Sequence, residues 1–323
     1  MAATAPVLAA SDYSYGSRLE GFRYPHPLQQ FDFSSQGQQL QMAYMDVAPT
    51  VVANGKTAVL MHGKNFCGAT WEETIKTLTG AGYRVVAPDQ IGFCASSKPS
   101  HYQYTFQQLA ANTDALLKHI GVRQAILIGH STGGMLATRY ALMYPQATAQ
   151  LVMVNPIGLE DWKALGVPGR SVDQWYEREL KTSADGIRAY ESKTYYGGKW
   201  KPEYERWVDM LAGLFNGPGK QVVAWNSALI YDMIYTQPVV YEFPLLKVPT
   251  TLLIGDADTT AIGADIAPAA VKAKIGNYKL LGKQAARSIP GSRLVEFPGQ
   301  GHAPQMEDPE GFHRALLKEL ERR

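Results

Sequence analysis

The chain of 323 residues is long enough for one large α/β domain or two ordinary domains. Its 46% hydrophobic and 19% charged residues are typical of a soluble globular protein with a large core. The formal net charge of +2, without any long basic run, argues against nucleic acid or an anionic membrane as a partner. No apolar stretch approaches the ~20 residues of a membrane-spanning helix.

The alanine-rich start, residues 1–16, lacks the charged first residues and the long apolar core of an intact signal peptide. It is either the remainder of a processed export signal or an ordinary disordered terminus. We favour export to the periplasm or the exterior and leave a cytoplasmic location open.

Two cysteines, Cys67 and Cys94, exclude a disulfide-rich scaffold and a four-cysteine zinc site. Each follows a predicted strand near the same face of the sheet, so the two side chains are expected to lie close together. They either form a disulfide or remain free thiols that serve as small packing residues.

Short apolar runs alternate with helical segments along most of the chain. The predicted strands are, in chain order, 31–34, 40–47, 57–61, 83–87, 125–128, 149–155, 250–254 and 293–297. The helices predicted between and after them cover 71–78, 104–120, a segment from 134, 266–286 and 309–320. This alternation predicts a doubly wound, mostly parallel α/β sheet.

The alternation is interrupted after Pro156 by a long amphipathic helical stretch with no strand candidate. An insertion of this length in an alternating fold is typical of a lid. Its many aromatic residues, mostly core, suggest an apolar cleft below the lid. The predicted organisation is an extended arm (1–28), a core (29–156 and 248–323) and a helical cap (157–247).

The segment 124–139, QAILIGHSTGGMLATR, carries the most specific pattern. A buried strand runs into a helix through G-x-S-x-G at positions 129–133. Side chains at Gly129 and Gly133 would collide with neighbouring backbone in so tight a turn. The turn holds Ser131 in a strained conformation at the N-terminus of the helix. We therefore predict that Ser131 is a nucleophile.

A serine hydroxyl needs a base to act as a nucleophile at neutral pH, and the base needs a partner that fixes its tautomer. Among seven histidines, only His302 lies in a glycine-rich loop directly after a late strand. His62 also follows a strand, but its neighbour Gly63 indicates a loop-shaping role. His130 is expected to point away from Ser131. The predicted base is therefore His302.

The acid that orients the base should follow a strand between the nucleophile and the histidine. Asp256 and Asp258 both lie in the turn after the strand at 250–254. Asp258, three residues past Gly255, is the preferred candidate. Asp256 would instead cap or tie the loop, which is also the structural alternative for Asp258.

An acyl-transfer site also needs two N–H donors for the oxyanion of a tetrahedral intermediate. The backbone N–H of Thr132, at the start of the helix, supplies one. The loop after the strand at 57–61 supplies the other, with the N–H of Lys64 as the candidate and Asn65 next to it. The charged side chain of Lys64 is expected to be solvated and without a role.

These segments together resemble the α/β-hydrolase superfamily, in its esterase- and lipase-like branch of serine hydrolases with a helical cap. The resemblance covers residues 30–321 and rests on GHSTGG, MHGKNF, PDQIGFCASS, GDAD and GQGHAPQMEDP. It implies the chain order Ser…Asp…His, and it implies no metal and no organic cofactor. The catalytic and oxyanion residues that it implies are Ser131, Asp258, His302, Thr132 and Lys64.

The resulting hypothesis is a serine hydrolase that cleaves a carboxylic ester through an acyl-enzyme. Its substrate is expected to be small to medium-sized and largely apolar, bound beneath the cap. The same residues would serve a C–C bond hydrolase, a lactonase, an amidase or an acyltransferase. A non-catalytic ligand-binding protein on the same scaffold is a further alternative. The sequence does not determine the natural substrate or the oligomeric state.

Overall fold

An eight-stranded sheet forms the centre of the computed structural model, which describes residues 13–322. The strands are β1 (Leu28–Ser35), β2 (Gln38–Val47), β3 (Thr57–Met61), β4 (Arg84–Pro88), β5 (Ala125–His130), β6 (Thr148–Val154), β7 (Thr250–Gly255) and β8 (Arg293–Phe297). Their order across the sheet is β1-β2-β4-β3-β5-β6-β7-β8. Strands β1 and β2 form an antiparallel edge, and the neighbours from β4 to β8 are parallel.

The central strands are apolar throughout because both faces of the sheet are covered. All six residues of β5 are buried, as are all six of β7. Side chains on one face, such as Leu127 and Met153, belong to one hydrophobic cluster, while Ile128 and Val152 belong to the cluster on the other face. The alternation of side chains along each strand therefore builds two cores.

Helices supply both covering layers. The α-helices are α1 (Glu72–Gly80), α2 (Phe106–His119), α3 (Thr132–Met143), α4 (Val172–Glu179), α5 (Ala184–Thr194), α6 (Glu205–Asn216), α7 (Lys220–Thr236), α8 (Ala269–Lys272), α9 (Tyr278–Ser288), α10 (Pro304–Glu307) and α11 (Pro309–Glu321). Helices α2, α3 and α9 cover one face, and α1 and α11 cover the other. The predicted fold class, a doubly wound and mostly parallel α/β sheet, is confirmed. No helix in residues 13–322 has the length and apolar character needed to cross a membrane.

The chain between β6 and β7 forms helices α4 to α7 and short 3₁₀ turns, with no strand in these described residues. This segment is the inserted helical cap that the sequence predicts. The boundaries assigned to the arm (1–28), the core (29–156 and 248–323) and the cap (157–247) stay predictions.

The observed elements differ from the predicted ones mainly in the last third of the chain. The helix predicted over 266–286 is two helices, α8 and α9. Gly276 separates them because it has a φ of +69° and lies against the backbone of Thr259, where a Cβ would come within 2.6 Å of the carbonyl oxygen. The short helix α10 was not predicted.

The described part of the arm packs against the cap and the core and does not extend into solvent. The Tyr15 N–H donates to the carbonyl oxygen of Gly213 in α6 (2.9 Å). The guanidinium of Arg18 donates to the carbonyl oxygen of Ala95 (3.0 Å) and to Gln41 in β2 (2.6 Å). The predicted export remnant or disordered terminus falls largely on residues 1–12, outside the described chain.

Cys67 and Cys94 form a disulfide, with their Cα atoms 6.0 Å apart. The bond joins the segment after β3 to the segment after β4, and the alternative of two free thiols is wrong. Because it shortens the accessible unfolded chain, such a bond typically contributes about 2–4 kcal/mol to stability.

Helix α5 carries a buried carboxyl group with no hydrogen-bond partner in the described chain. Glu191 is 0% exposed, and both of its side-chain oxygens lack a donor. Burial, and secondarily the negative charge of Glu205, raises the pKa of Glu191 from its ordinary value of 4.5 to about 8. The folded protein therefore holds a proton on Glu191 at neutral pH.

The free energy of unfolding is expected to fall as the pH rises from about 4.5 to about 8, since the folded chain retains a proton that the unfolded chain has lost. Glu191→Gln is expected to raise the melting temperature at pH 8 and to leave it nearly unchanged at pH 5. Glu203→Gln, at an exposed position of the same cap, is the control. Equal melting shifts at both pH values would contradict a protonated Glu191.

Candidate active site

Strand β5 passes into α3 through a single residue, Ser131. Its φ of 56° and ψ of −122° form a combination that few residues other than glycine adopt. A Cβ at Gly129 would overlap the carbonyl oxygen of Gly133, and a Cβ at Gly133 would overlap that of Met61. The two glycines therefore permit the close approach that holds Ser131 at the carboxyl end of β5 and the N-terminus of α3.

His302 and Asp258 meet in a buried pair. Nδ1 of His302 lies 2.6 Å from Oδ2 of Asp258, and both side chains are 0% exposed. Asp258 follows β7 and His302 follows β8, and the carboxyl ends of these parallel neighbours share one edge of the sheet. Because a carboxylate only accepts hydrogen bonds, Nδ1 carries a proton and donates a hydrogen bond to Asp258, and Nε2 is the ring nitrogen left outside this hydrogen bond.

Three further hydrogen bonds orient the Asp258 carboxylate. The N–H and the hydroxyl of Thr260 donate to Oδ1 at 2.8 and 2.7 Å. The Asn155 side-chain amide donates to Oδ2 at 2.9 Å, and its carbonyl oxygen accepts the N–H of Gly255 at 2.8 Å. Neither Asn155 nor Thr260 was predicted as a site residue. The available signal was that Asn155 ends a buried strand at the same sheet edge as Asp258.

Asp256 ties two loops together, which was its predicted alternative to acting as the acid. Its Oδ1 accepts the N–H of Gly299 at 2.7 Å. This bond joins the loop after β7 to the loop after β8, which carries His302. Of the two candidate acids, the structure therefore brings Asp258, and not Asp256, to the imidazole.

The structure brings the loops of Ser131 and His302 into contact without a hydrogen bond between the two side chains. Nε2 of His302 is buried and has no hydrogen-bond partner in residues 13–322. His130, which precedes Ser131, places its Nε2 2.8 Å from the carbonyl oxygen of His302, and the two rings are 4.8 Å apart.

His130, which was expected to point away from Ser131, makes a contact with the His302 backbone that was not predicted. Burial, and secondarily the neighbouring His302, lowers the pKa of His130 well below its ordinary value of 6.5. Since the ring is then neutral, its Nε2–H donates to the His302 carbonyl oxygen and Nδ1 is unprotonated. The ring therefore fixes the backbone that carries His302.

The loop after β3 lies against Ser131. A Cβ at Gly63 would be 3.0 Å from the Cβ of Ser131, and Lys64 is the next residue. His62 shapes this loop, since its Nδ1 lies 2.8 Å from the Gly63 carbonyl oxygen and its Nε2 accepts the N–H of Gln90 at 3.1 Å. Lys64 follows Gly63, which lies against Ser131, and Thr132 directly follows Ser131. The two predicted oxyanion donors, the N–H groups of Lys64 and Thr132, therefore belong to backbone next to Ser131.

The expectation of a solvated Lys64 side chain is wrong. Its ammonium is 3.2 Å from Oε2 of Glu179 at the end of α4 and 3.8 Å from the ring centroid of Tyr231 in α7. The side chains of Lys64 and Glu179 are only 12% and 6% exposed. The four-carbon stem of Lys64 is long enough to bring its ammonium to a carboxylate and an aromatic ring of the cap. The sequence pattern does not show that these cap residues lie beside Lys64.

Two further residues contact the His302 loop, and neither was predicted as a site residue. The ring of Tyr195, just after α5, is 4.7 Å from the imidazole of His302. Oε1 of Glu307 accepts the N–H of Gly301 at 2.5 Å. Burial raises the pKa of Glu307 to about 7. Both contacts limit movement of the imidazole relative to Asp258.

A cavity of about 440 Å³ lies between the cap and the core. Lys64 and Asn65 contribute to its wall on the core side, while Ser131 and His302 are not among its described lining residues. Its apolar side chains include Phe66, Phe93, Ile187, Met210, Leu211, Leu214, Phe215, Val223, Ile230 and Ile262. The volume is in the usual range for small-molecule sites.

One group of potential metal ligands within the described chain is Cys67, Asp89 and Cys94, whose ligand atoms lie within 4.8 Å of one another. The two sulfurs are bonded to each other and so offer no thiolate. Asp89 accepts the N–H groups of Gly68 (2.7 Å) and Ala95 (3.0 Å) and the Tyr24 hydroxyl (2.5 Å). All three potential metal ligands are thus already bonded within the protein, and these bonds connect separate loops.

The fold is that of an α/β hydrolase. The family model of the alpha/beta hydrolase fold matches residues 58–309, and the chain belongs to this family. A solved structure of a probable hydrolytic enzyme from Pseudomonas aeruginosa PAO1 is 64% identical, covers 97% of this chain and 100% of its own, and superposes with a TM-score of 0.95.

More distant relatives carry varied names. A putative non-heme chloroperoxidase from Synechocystis is 29% identical over 88% of this chain and 98% of its own. An esterase structure from Exiguobacterium antarcticum, 18% identical, covers 86% of this chain and 95% of its own with a TM-score of 0.69, which shows the shared fold alone. The family thus establishes a hydrolase, and the names do not agree on a substrate.

Ser131→Gly is expected to be more stable than Ser131→Ala, because glycine relieves a strained φ that costs of order 1–3 kcal/mol. The entropy of the unfolded glycine offsets roughly 0.5–1 kcal/mol, which leaves a net difference of about 1 kcal/mol in favour of glycine. Chemical denaturation of the two variants measures the difference. At Ser192, inside helix α5, the order is expected to reverse, and the same order at both positions would contradict strain at Ser131.

Proposed function

We propose that this hydrolase cleaves carboxylic esters, or a closely related acyl bond, through a covalent acyl-enzyme. The buried hydrogen bond between His302 and Asp258 carries the proposal, because it fixes an imidazole with Nε2 as an acceptor. The strained Ser131 lies at the same sheet edge, on a loop that contacts the His302 backbone through His130.

In the proposed mechanism, Oγ of Ser131 attacks the carbonyl carbon while Nε2 of His302 takes the hydroxyl proton. Asp258 stabilises the imidazolium. The backbone N–H groups of Thr132 and Lys64 donate to the oxyanion of the tetrahedral intermediate. The intermediate collapses as the bond to the leaving alcohol breaks and His302 returns the proton to that oxygen. A water molecule, deprotonated by His302, then attacks the acyl carbon. The bond to Oγ of Ser131 breaks, the acid leaves, and His302 returns the proton to Oγ.

The substrate that the cavity fits is small to medium-sized and largely apolar. Aliphatic and aromatic side chains of the cap helices and of the loop after β4 supply most of its wall. A volume of about 440 Å³ accommodates a short acyl chain together with an alcohol group.

The named alternatives use the same residues and differ in the bond that breaks or, for acyl transfer, in the acceptor that takes the acyl group in place of water. They are C–C bond hydrolysis, lactone opening, amide cleavage and acyl transfer, and a panel with one substrate of each type separates them. The chloroperoxidase name of the Synechocystis relative adds an assay with chloride and hydrogen peroxide to the panel. A non-catalytic ligand-binding protein would turn over none of these and would resist labelling by a fluorophosphonate.

Ser131→Ala is expected to lower kcat/KM for p-nitrophenyl butyrate by about 10³-fold or more, since the acyl-enzyme no longer forms. The measurement is release of p-nitrophenol, and labelling by a fluorophosphonate should disappear in the same variant. Ser288→Ala, at an exposed site on α9, is the control and should behave as wild type. Hydrolysis that persists unchanged in Ser131→Ala would exclude the proposed nucleophile.

The disulfide supports export to an oxidising compartment, since cytosolic thiols are kept reduced. Titration of the denatured protein is expected to detect no free thiol before reduction and 2 afterwards, which is the total cysteine content. Two free thiols in protein from its native cells would instead favour a cytoplasmic location.

A further inference from the structure

The segment 64–67 is here called the oxyanion loop, because it begins with Lys64, whose backbone N–H is a proposed oxyanion donor. Its other contacts connect this donor to the rest of the molecule. Its first residue follows Gly63, which has no side chain, and its last residue is Cys67, whose disulfide anchors only that end. The beginning of the loop, where the Lys64 N–H lies, is held on the core side by His62 and the Phe66 N–H, which both contact the Gly63 carbonyl oxygen. On the cap side it is held by the side chains of Lys64 and Asn65.

Lys64 is held by the cap. Glu179 accepts its ammonium at 3.2 Å, and the same Oε2 accepts the hydroxyl of Ser227 in α7 at 2.5 Å. The other oxygen of Glu179 is 3.4 Å from the guanidinium of Arg178. A buried carboxylate with three donors has a defined position, and so does the ammonium that pairs with it. Lys64 is thus joined to the C-terminal end of α4 and to the middle of α7.

The contact extends through a stack of rings. Tyr231, beneath the Lys64 ammonium, stacks on Trp175 of α4 with centroids 4.4 Å apart and planes 8° apart. Arg170 lies 4.8 Å from the Trp175 ring and pairs with Asp265 at 2.7 Å. Asp265 belongs to the segment after β7 that also carries Asp258. Through the cap, the stack therefore connects Lys64 with the segment that carries Asp258.

Asn65 makes a second, separate contact with the cap. Its side-chain amide donates to the hydroxyl of Tyr195 at 3.0 Å. The ring of Tyr195 lies on His302, and its carbonyl oxygen accepts the N–H of Ala303 at 3.4 Å. One residue of the cap thus touches the oxyanion loop and the proposed base at the same time.

We propose that Lys64 and Asn65 are positioning residues through which docking of the cap sets the position of the Lys64 N–H, so that the oxyanion site is complete only when the cap is seated. The inference rests on the proposed function for its kinetic consequence. Its structural part, coupling of the cap to the oxyanion loop, does not depend on the reaction.

Lys64→Met keeps most of the side-chain length and removes the charge. It is expected to lower kcat for p-nitrophenyl acetate by about 10- to 100-fold with little change in KM, because a displaced oxyanion donor weakens binding of the transition state more than of this small substrate. Lys76→Met, at a lysine whose side chain is 76% exposed, is the matched control. A higher KM at unchanged kcat would show that Lys64 only lines the cavity, and would overturn the proposal.

The double variant Lys64→Met/Glu179→Gln separates positioning from stability. Glu179→Gln alone leaves a buried ammonium unpaired and should lower both the melting temperature and kcat. In the double variant no buried charge is left unpaired, because Arg178, the other charged partner of Glu179, is 41% exposed. The melting temperature is therefore expected to recover while kcat stays low. Recovery of kcat together with the melting temperature would assign Lys64 a merely structural role.

Hydrogen exchange tests the coupling without any substrate. Deuterium uptake of the peptide covering residues 62–67 is expected to rise in Glu179→Gln and to stay at the wild-type level in Glu177→Gln, an exposed neighbour on the same helix. Unchanged uptake in Glu179→Gln would overturn the proposal. If wild-type protein hydrolyses no ester, the proposed function fails, and hydrogen exchange still decides the coupling.

Discussion

The architecture of the site depends on the contact between the β5–α3 turn and its surroundings, where no atom larger than hydrogen fits at two positions. Gly129 lies against the carbonyl group of Gly133, and Gly133 lies against that of Met61 in β3. This contact places the N-terminus of α3 on the sheet and leaves Ser131 with a φ that the surrounding packing must hold. Strain in one residue is thus balanced by the burial of a whole strand and helix.

Parallel pairing then brings distant residues together. The loops after β3, β5, β6, β7 and β8 leave the same edge of the sheet, because each of these strands is parallel to its neighbours. Asn155 and Asp258 meet there although they are far apart in the chain, and Asp258 meets His302 in the same way. The register of the sheet, rather than any local turn, sets these distances.

The cap contributes more than a roof over a cavity. Its helices place Glu179 and Tyr231 around the Lys64 ammonium and Tyr195 on the His302 ring. A charge buried at such an interface is stable only with its partner in place, so the contact favours one arrangement of cap and core. The buried Glu191, with no partner in the described chain, shows the opposite case, in which a carboxyl group avoids that cost by keeping its proton.

The sequence alone determined the sheet, the two helical layers, the inserted cap and the place of Ser131, because strand burial, helix periodicity and the two glycines act over short distances along the chain. It also narrowed the partner of the imidazole to Asp256 or Asp258, with Asp258 preferred. Only the tertiary structure brought Asp258 to His302, paired Cys67 with Cys94, and revealed the contacts of Asn155, His130 and the Lys64 side chain. Each of these depends on which loops meet across the sheet edge and under the cap, and contacts between residues so far apart leave no periodic pattern in the sequence.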